Sequence, residues 1–165
     1  RTIAGLEDEF DVTIITQNGD DFHERAGSTK VIHLHGEALK NASTLHPYES
    51  YEIDRNNPDI HIGDKAPDGS QIRPYVIYFN EDIEQRLWKA SVVATKQADV
   101  FIVVGSTMLV YPAAELLKMI PPKCELYIID PSEVTLPEGC TKEYIHIQSG
   151  ASRGLEQLKA TLKLK

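Results

Sequence analysis

Residues 12–36 read V-T-I-I-T-Q-N-G-D-D-F-H-E-R-A-G-S-T-K-V-I-H-L-H-G, and they decide the fold. The β-branched run at residues 12–16 predicts a buried strand. It stops abruptly at the amides and carboxylates of residues 17–21, and open α/β sheets bind ligands at the carboxyl ends of their strands. A second apolar run at residues 31–34 ends in the histidine and glycine of residues 35–36. These two polar clusters, each at a strand end, could therefore face one pocket.

The same clusters also permit a purely structural interpretation. Residues 17–20, Gln-Asn-Gly-Asp, favour a turn, because Asn and Asp side chains hydrogen-bond their own backbone and glycine accepts a positive φ. A single histidine after a strand, such as His35, is more often a structural group than a catalyst. The residues alone leave the turn and the binding site as open alternatives.

Four motifs resemble the Sir2 (sirtuin) family of NAD-dependent protein deacylases. T-Q-N-G-D-D-F-H at residues 16–23 is similar to the family's T-Q-N-I-D-G-L-H, and residues 34–36 match its catalytic L-H-G. V-I-Y-F-N-E at residues 76–81 is similar to V-V-F-F-G-E, and V-V-G-S-T-M-L-V-Y-P-A at residues 103–113 to V-V-G-T-S-x-x-V-x-P-A. The four motifs occur in the family's order across most of the chain, which chance does not easily arrange.

Composition limits the classes of function. The chain has 165 residues and is 41% hydrophobic, which is enough for one compact domain with a sizeable core. Its 17 basic and 25 acidic residues give a net charge of −8, so we expect neither a nucleic-acid nor an acidic-membrane partner. A basic target, such as a lysine-bearing peptide, would be electrostatically compatible with this charge.

The sequence also indicates a compartment. No apolar stretch approaches the roughly 20 residues that span a bilayer, and the first residues show no signal-peptide pattern. Cys124 and Cys140 are interpreted as free thiols, so a cytoplasmic location is expected. The chain begins at Arg1, already within an apolar-periodic segment, and we expect it to be a piece of a longer protein.

Strands that alternate with helices over the second half predict an α/β fold, with a Rossmann-like parallel sheet and helices on both faces. We expect residues 1–36 and 73–165 to form a Rossmann-like NAD-binding domain without its first strand and glycine-rich loop. Residues 37–72 are polar, contain proline and glycine, and predict an inserted small subdomain or a long loop. A strand at residues 75–79 is expected to lead into a helix capped by Asn80.

The resemblance implies roles for individual residues. His35 matches the family's general base, which activates a ribose hydroxyl of NAD, and a histidine suits this role because its ordinary pKa is close to working pH. Asn18, the second residue assigned to catalysis, matches the residue that orients the ribose and an ordered water. Asp20 matches the residue that binds the nicotinamide carboxamide. The implied cofactor-binding residues are Gln17, Asn18, Asp20, Gly105, Ser106, Thr107, Asp130 and Ala151.

The last five residues of that set match residues that bind the phosphates and the adenosine of NAD. In the family, the residues that match Gly105, Ser106 and Thr107 line the phosphates and ribose. Asp130 would hold the adenosine ribose, and Ala151 would present its backbone to adenine. An acyl-lysine peptide, the implied substrate, docks in the family as an extra strand. One wall of its channel matches Ile77, Tyr78, Phe79, Asn80 and Glu81.

Several departures limit what the resemblance implies. The family's glycine-rich N-terminal block is absent, so the chain holds half a cofactor site at best and could by itself be inactive. The family's four zinc cysteines are also absent, and His46 and His61 alone do not make a tetrahedral site, so we predict no zinc. Gly19 replaces a branched apolar residue and Asn80 replaces a glycine.

Three functions remain open from the sequence. The first is the C-terminal portion of a zinc-less sirtuin-like enzyme, which converts NAD and an acyl-lysine into nicotinamide and O-acyl-ADP-ribose. The second is a Sir2-like NAD hydrolase or ADP-ribosyltransferase that uses the same pocket. The third is a non-catalytic nucleotide-binding module.

Overall fold

The computed structural model describes residues 1–54, 56–106 and 112–162. Contacts divide the chain into two compact units. One unit, called here the parallel-sheet unit, comprises Arg1–Thr13 and Lys89–Lys165. The other comprises Ile14–Trp88 and is called here the histidine unit, because it contains His33 and His35.

The histidine unit begins with a parallel strand pair. Strand β1, Ile14–Thr16, lies beside β2, Val31–His33, in parallel register. The short helix α1, Phe22–Arg25, lies in the connection and is followed by Gly27 at a φ of +102°. The two strands predicted from the β-branched and apolar runs are therefore confirmed, with shorter bounds.

An antiparallel sheet follows directly. Strands β3 (Gly36–Ser43), β4 (Tyr51–Glu52) and β5 (Ile72–Val76) are arranged in the order β4-β3-β5. Residues 37–72, predicted to be an inserted small subdomain or a long loop, contain most of β3, all of β4 and the start of β5. Their assignment as an inserted subdomain stays a prediction. Strand β3 was not predicted from the sequence. Its register with β5 shifts between Glu37 and Asn41, and this irregularity breaks the alternation of apolar and polar residues that identifies a strand.

The segment after β5 corrects a predicted helix start. Helix α2 spans Gln85–Gln97, so Asn80 does not cap it. Asn80 instead has a φ of +70°, a left-handed conformation that helix residues do not adopt. The buried positions of α2 are Ser91 and Thr95, and the Thr95 hydroxyl donates to the Ser91 carbonyl at 2.8 Å.

The parallel-sheet unit contains the predicted α/β layers. Strands β6 (Val100–Val104), β7 (Glu125–Ile129) and β8 (Ile145–Ile147) form a parallel sheet in the order β6-β7-β8. A 3₁₀ helix, Ala113–Met119, follows β6, and helix α3, Ala151–Leu162, follows β8.

Alternate residues of the central strand β7 enter two separate cores. Leu126 and Ile128 pack with Leu117 of the 3₁₀ helix, whereas Tyr127 and Ile129 pack with leucines of α3. Each of these four β7 side chains is at most 2% exposed. A strand buried on both faces is typical of parallel sheets covered by helices, so the predicted Rossmann-like α/β class is confirmed.

The contact boundaries differ from the predicted domain boundaries. Contacts group β1 and β2 with the antiparallel sheet, and only Leu34 and His35 separate β2 from β3. Backbone hydrogen bonds tie this region together: Leu34 N donates to Thr16 O, and Ile77 N donates to His35 O, both at 2.9 Å. The assignment of residues 1–36 and 73–165 to one NAD-binding domain stays a prediction.

Both cysteines are free thiols, as predicted. Cys124 is buried, and this burial raises the pKa of its thiol. Within the ranges that the structure describes, none of the helices combines the length and apolar character needed to cross a bilayer.

Candidate functional site

The loop at residues 17–20 follows β1 and is held by its own side chains. Asn18 N donates to the Thr16 hydroxyl at 3.1 Å, and Phe22 N donates to the Asp20 carboxylate at 3.1 Å. The predicted turn chemistry is therefore present, and it orients the loop that carries Asn18 and Asp20.

His35 lies at the same end of the parallel pair, just after β2. Its carbonyl accepts a hydrogen bond from Ile77 N at 2.9 Å, and its side chain is half-buried. The 17–20 loop meets the chain immediately after His35, because Ala38 N donates to Gly19 O at 2.7 Å. The structure thus brings the two predicted polar clusters to one edge of the β1–β2 pair.

Gly19 leaves room for this close approach. A Cβ atom at residue 19 would lie 3.2 Å from Ala38 N and 3.5 Å from Gly36 O. A branched side chain would push the loop away from the backbone after His35 unless that backbone moved. A glycine in place of the family's branched apolar residue therefore fits the short distance between this loop and the backbone of residues 36–38.

Sequence reasoning missed a partly buried ion pair beside the loop. The His33 ring is 6% exposed; its Nδ1 lies 2.9 Å from the Asn18 carbonyl and its Nε2 lies 2.9 Å from Glu24 Oε1. Both neighbours are acceptors, so only the doubly protonated ring satisfies both contacts. The available signal was a histidine at an inward-facing strand position two residues before His35.

Opposing effects set the pKa of His33. Burial of the ring opposes protonation, but the hydrogen bonds with Glu24 and with the Asn18 carbonyl outweigh it, so the pKa is raised. For Glu24 the largest single effect is desolvation, which raises the pKa of the carboxylate, but the hydrogen bonds from His33 and from the Glu24 backbone, together with the nearby positive charge, outweigh it, so the pKa is lowered. The nearby charge of Glu37 also raises the pKa of His33, and the nearby His23 also lowers the pKa of Glu24.

We expect this pair to make stability depend on pH. The raised pKa of His33 gives a contribution that is complete below about pH 6.5 and is lost as the pH rises through the folded-state value. The lowered pKa of Glu24 gives a contribution that is lost only as the pH falls below about 4.5. Because the Glu24 side chain is 42% exposed, the combined effect should be about 1 kcal/mol or less.

Urea unfolding of the intact protein measures this effect. From about pH 6 to about pH 8, the wild-type free energy of unfolding should fall more than that of Glu24→Gln, which keeps an acceptor but removes the charge. The other histidines are the same in both proteins, so their contributions cancel in the comparison. Equal pH dependence in the two proteins would contradict a charged His33.

Gln17 carries a buried donor that has no partner. Its side-chain Nε2 is excluded from solvent and makes no hydrogen bond with the described residues. Buried polar atoms without a partner are uncommon in folded proteins and call for an explanation. Gln17 belongs to the predicted cofactor-binding set, and its amide lies in the same loop as Asn18 and Asp20.

In the parallel-sheet unit, predicted site residues lie at the carboxyl edge of the sheet. Gly105 follows β6 at a φ of +58°, and its N donates to Ile129 O at 3.0 Å. Ser106 is half-buried beside it, whereas Thr107 lies outside the described residues. A glycine in this conformation leaves open backbone at a strand end, which suits the approach of a ligand.

The next two strands contribute to the same edge. Asp130 follows β7, where its Oδ1 accepts from Ser132 N at 2.9 Å and its carbonyl lies 3.0 Å from His146 Nε2. Ala151 is exposed at the start of α3, after β8. Residues 105–106, Asp130 and Ala151 therefore follow three adjacent parallel strands in order.

The predicted substrate residues form an exposed turn after β5. The Phe79 side chain is fully exposed, Tyr78 is 50% exposed, and Ile77 is half-buried. The Glu81 carboxylate is bound within the turn, where it contacts Arg73 and Tyr78 N. The aromatic side chains, rather than Glu81, are thus available to a ligand.

A separate cavity of about 660 Å³ lies in the parallel-sheet unit. Leu117, Cys124, Cys140 and Lys142 contribute to its lining, and none of the predicted site residues does. Three or more metal-ligating side chains do not cluster anywhere in the described ranges. His46 and His61 each lie near an acidic side chain instead, Glu49 at 3.9 Å and Asp64 at 3.5 Å.

The chain is similar to proteins of one family. The sequence model of the Sir2 family matches residues 1–112. An NAD-dependent protein deacylase of Bacteroides thetaiotaomicron is 42% identical over 164 residues, which cover 97% of this chain and 68% of that protein. A protein of the same name from Helicobacter pylori is 41% identical over 131 residues, or 79% of this chain and 55% of that protein.

Solved structures agree with the sequence matches. A Sir2 homologue in complex with NAD superposes with a TM-score of 0.80 at 31% identity, over 98% of this chain and 62% of that chain. A complex of Sir2 with a p53 peptide and NAD⁺ gives a TM-score of 0.76 at 25% identity, over 99% of this chain and 69% of that chain. The family model and the 42% identity over nearly the whole chain confirm the resemblance, and the chain belongs to the Sir2 family.

Proposed function

We propose that this chain is the C-terminal portion of an NAD-dependent protein deacylase, which transfers the acyl group of a modified lysine to ADP-ribose. The chain spans 68% of its Bacteroides relative and 55% of its Helicobacter relative, both named NAD-dependent protein deacylases. The observation that carries the proposal is the placement of His35 beside the 17–20 loop, at one edge of β1 and β2.

The residues of the 17–20 loop fit the nicotinamide end of NAD. When bound, NAD supplies a nicotinamide leaving group and a ribose whose hydroxyl accepts the acyl group. We assign the Asp20 carboxylate to the NH₂ group of the carboxamide and the Asn18 side chain to the ribose and a water. The buried Gln17 Nε2, which lacks a partner, supports a polar ligand at this loop.

His35 would act as the general base. Its backbone is fixed by the hydrogen bond from Ile77 N, so the ring is held at the strand end while remaining half-buried. A ring nitrogen of a neutral imidazole can take a proton from a ribose hydroxyl near neutral pH.

From the resemblance we assign the phosphates and the adenosine of NAD to the carboxyl edge of the parallel sheet. The open backbone at Gly105 and the Ser106 hydroxyl suit phosphate and ribose oxygens, and we extend this role to Thr107 from the resemblance. Asp130 can accept hydrogen bonds from the adenosine ribose hydroxyls, and the exposed backbone at Ala151 can meet adenine. An N-terminal segment with a glycine-rich turn would complete the site.

The histidine unit offers an edge for an acyl-lysine peptide. Strand β5 is an edge strand of its sheet, and the exposed Tyr78 and Phe79 follow it. A peptide that adds to this edge would form main-chain hydrogen bonds and place side chains against the two aromatic rings. The net charge of −8 is compatible with a basic peptide and does not favour nucleic acid.

We also propose a cytoplasmic protein without a structural zinc. The two free thiols support a reducing compartment. Both cysteines lie outside the segment between the Leu-His-Gly and Tyr-Phe-Asn-Glu motifs, where the family places its zinc ligands. Thiolates are therefore unavailable where a structural zinc would need them.

Nicotinamide release by the intact protein tests the proposed function. The protein is incubated with NAD and a panel of peptides that carry different acyl groups on lysine. We expect release to require one of these peptides. Equal release without peptide would instead support an NAD hydrolase or ADP-ribosyltransferase, and no release would support a nucleotide-binding module.

A further inference from the structure

Arg73 is the centre of a compact cluster under the exposed turn. Its two terminal nitrogens donate to the two oxygens of Glu81, both at 2.7 Å. One of these nitrogens also donates to the Val76 carbonyl at 3.0 Å. The Arg73 side chain is 14% exposed and that of Glu81 is 33% exposed, so the pair is more shielded than an ordinary surface ion pair. A two-point contact of this kind fixes the relative orientation of its partners.

The pair of Arg73 and Glu81 also contacts Tyr78 within the turn. The Glu81 carboxylate accepts from Tyr78 N at 2.9 Å, and the Arg73 guanidinium lies 4.6 Å from the centre of the Tyr78 ring. The hydrogen bond from Arg73 is the main cause of the lowered pKa of Glu81. Residues 76–81, named here the aromatic turn, are thus tied to Arg73 at Val76, Tyr78 and Glu81.

These contacts support a backbone conformation that would otherwise be unfavourable. Asn80 is the one non-glycine residue with a positive φ among the described residues, at +70°. Asparagine tolerates this region better than most residues, yet such a conformation persists only when its surroundings maintain it. The Phe79 side chain, fully exposed next to Asn80, makes no packing contribution that could do so.

We infer that Arg73, through its two-point contact with Glu81, is a positioning residue that shapes the aromatic turn for an acyl-lysine peptide. This inference rests on the proposed function. Arg73 itself does not contact the peptide, because its guanidinium is occupied by Glu81, Val76 and Tyr78. Its loss should therefore weaken peptide binding while NAD binding at the 17–20 loop is retained.

Two variants of the intact protein test the inference. Arg73→Gln removes the cation, and Glu81→Gln removes the carboxylate with little change of shape. Each should raise KM for the acyl peptide about tenfold while KM for NAD changes less than about twofold. Arg73→Lys, which keeps the charge but not the planar fork, should give an intermediate KM.

Arg86→Gln is the matched control. Arg86 donates to Glu84 at 2.8 Å, but its side chain is 79% exposed and it does not contact the aromatic turn. This variant should keep the wild-type KM for both substrates. A rise in peptide KM equal to that of Arg73→Gln would contradict the inference, because any loss of a nearby ion pair would then have the same effect.

Limited proteolysis gives a second measurement that does not need turnover. Chymotrypsin cleaves after aromatic residues, and Tyr78 and Phe79 are the exposed candidates in the turn. Cleavage there should be about tenfold faster in Arg73→Gln and Glu81→Gln than in wild type or Arg86→Gln. Unchanged cleavage in both variants would overturn the role of Arg73 in shaping the turn.

The two measurements separate this inference from the proposed function. A wild-type protein that consumes no acyl peptide overturns the proposed function, and with it the peptide as the ligand of the turn. An active wild type with normal peptide KM in both variants overturns the positioning role alone. Faster cleavage with a raised peptide KM and an unchanged NAD KM supports the inference.

Discussion

Replacement of His35 by alanine in the intact protein should reduce peptide-dependent nicotinamide release and acyl transfer about a thousandfold. This size is typical for the loss of a general base, and alanine removes the imidazole to which the proton transfer is assigned. Binding of ADP-ribose, measured by calorimetry, should change little, because His35 is assigned to proton transfer and not to the phosphates. The reduction should therefore lie in kcat more than in nucleotide affinity.

His61→Ala is a suitable control for the His35 variant. His61 belongs to the same unit, its side chain is 73% exposed, and it lies 3.5 Å from Asp64 on the surface. Its loss should leave turnover at the wild-type level. Normal turnover in His35→Ala would reject the assignment of His35 as the base.

Replacement of Gly36 by alanine should destabilise the protein by about 3 kcal/mol or more, enough to prevent folding of a marginally stable domain. Gly36 has a φ of +82°, and a Cβ there would lie 2.2 Å from Tyr75 O and 2.9 Å from Tyr75 C. Both atoms belong to the β5 backbone, so relief of the clash requires separation of β3 from β5 at the Gly36–Val76 pair. The family's glycine after the catalytic histidine thus has a steric reason in this chain.

Gly27→Ala is the control for Gly36→Ala, because it adds a side chain at a positive φ without a steric clash. Gly27 has a φ of +102°, and a Cβ there would meet nothing within 4 Å. Its replacement should cost only about 1 kcal/mol, the usual penalty for an L residue in the left-handed region. Urea unfolding of the two variants provides the comparison. Equal losses of stability would show that the close approach at Tyr75 has no energetic effect.

The elements that could be predicted from sequence are those with strong local patterns. The runs that became β6 and β7 are mostly apolar and contain several β-branched residues, a pattern that is typical of parallel strands. The residues after β1 and β2 could be placed at one edge, because the carboxyl ends of adjacent parallel strands lie together. Local sequence was sufficient in both cases.

The elements that escaped prediction depend on contacts between distant residues. Strand β3 was hidden by the register shift between Glu37 and Asn41, which removes the period-two pattern. A helix cap was expected at Asn80 because asparagine favours caps. The Glu81 carboxylate instead accepts hydrogen bonds from Arg73 and from Tyr78 N, and these bonds hold a turn in which Asn80 is left-handed. Tertiary contacts overrode a local preference there.

The ion pair beside the site was missed for the same reason. Glu24 lies on α1 and His33 on β2, and only the folded parallel pair brings the carboxylate to the ring. Sequence alone presents a histidine in a strand and a glutamate in a short helix, with no pattern that links them. The motif residues were recognisable from the resemblance, whereas the groups that hold them required the structure.

Mass spectrometry of the nucleotide product tests the central claim most directly, since that claim couples NAD cleavage to removal of an acyl group from lysine. The intact protein is incubated with NAD and the acyl-lysine peptide that gives the greatest nicotinamide release. We predict O-acyl-ADP-ribose, formed in the same amount as nicotinamide and deacylated peptide. Formation of ADP-ribose alone, with the peptide still acylated, would contradict the account.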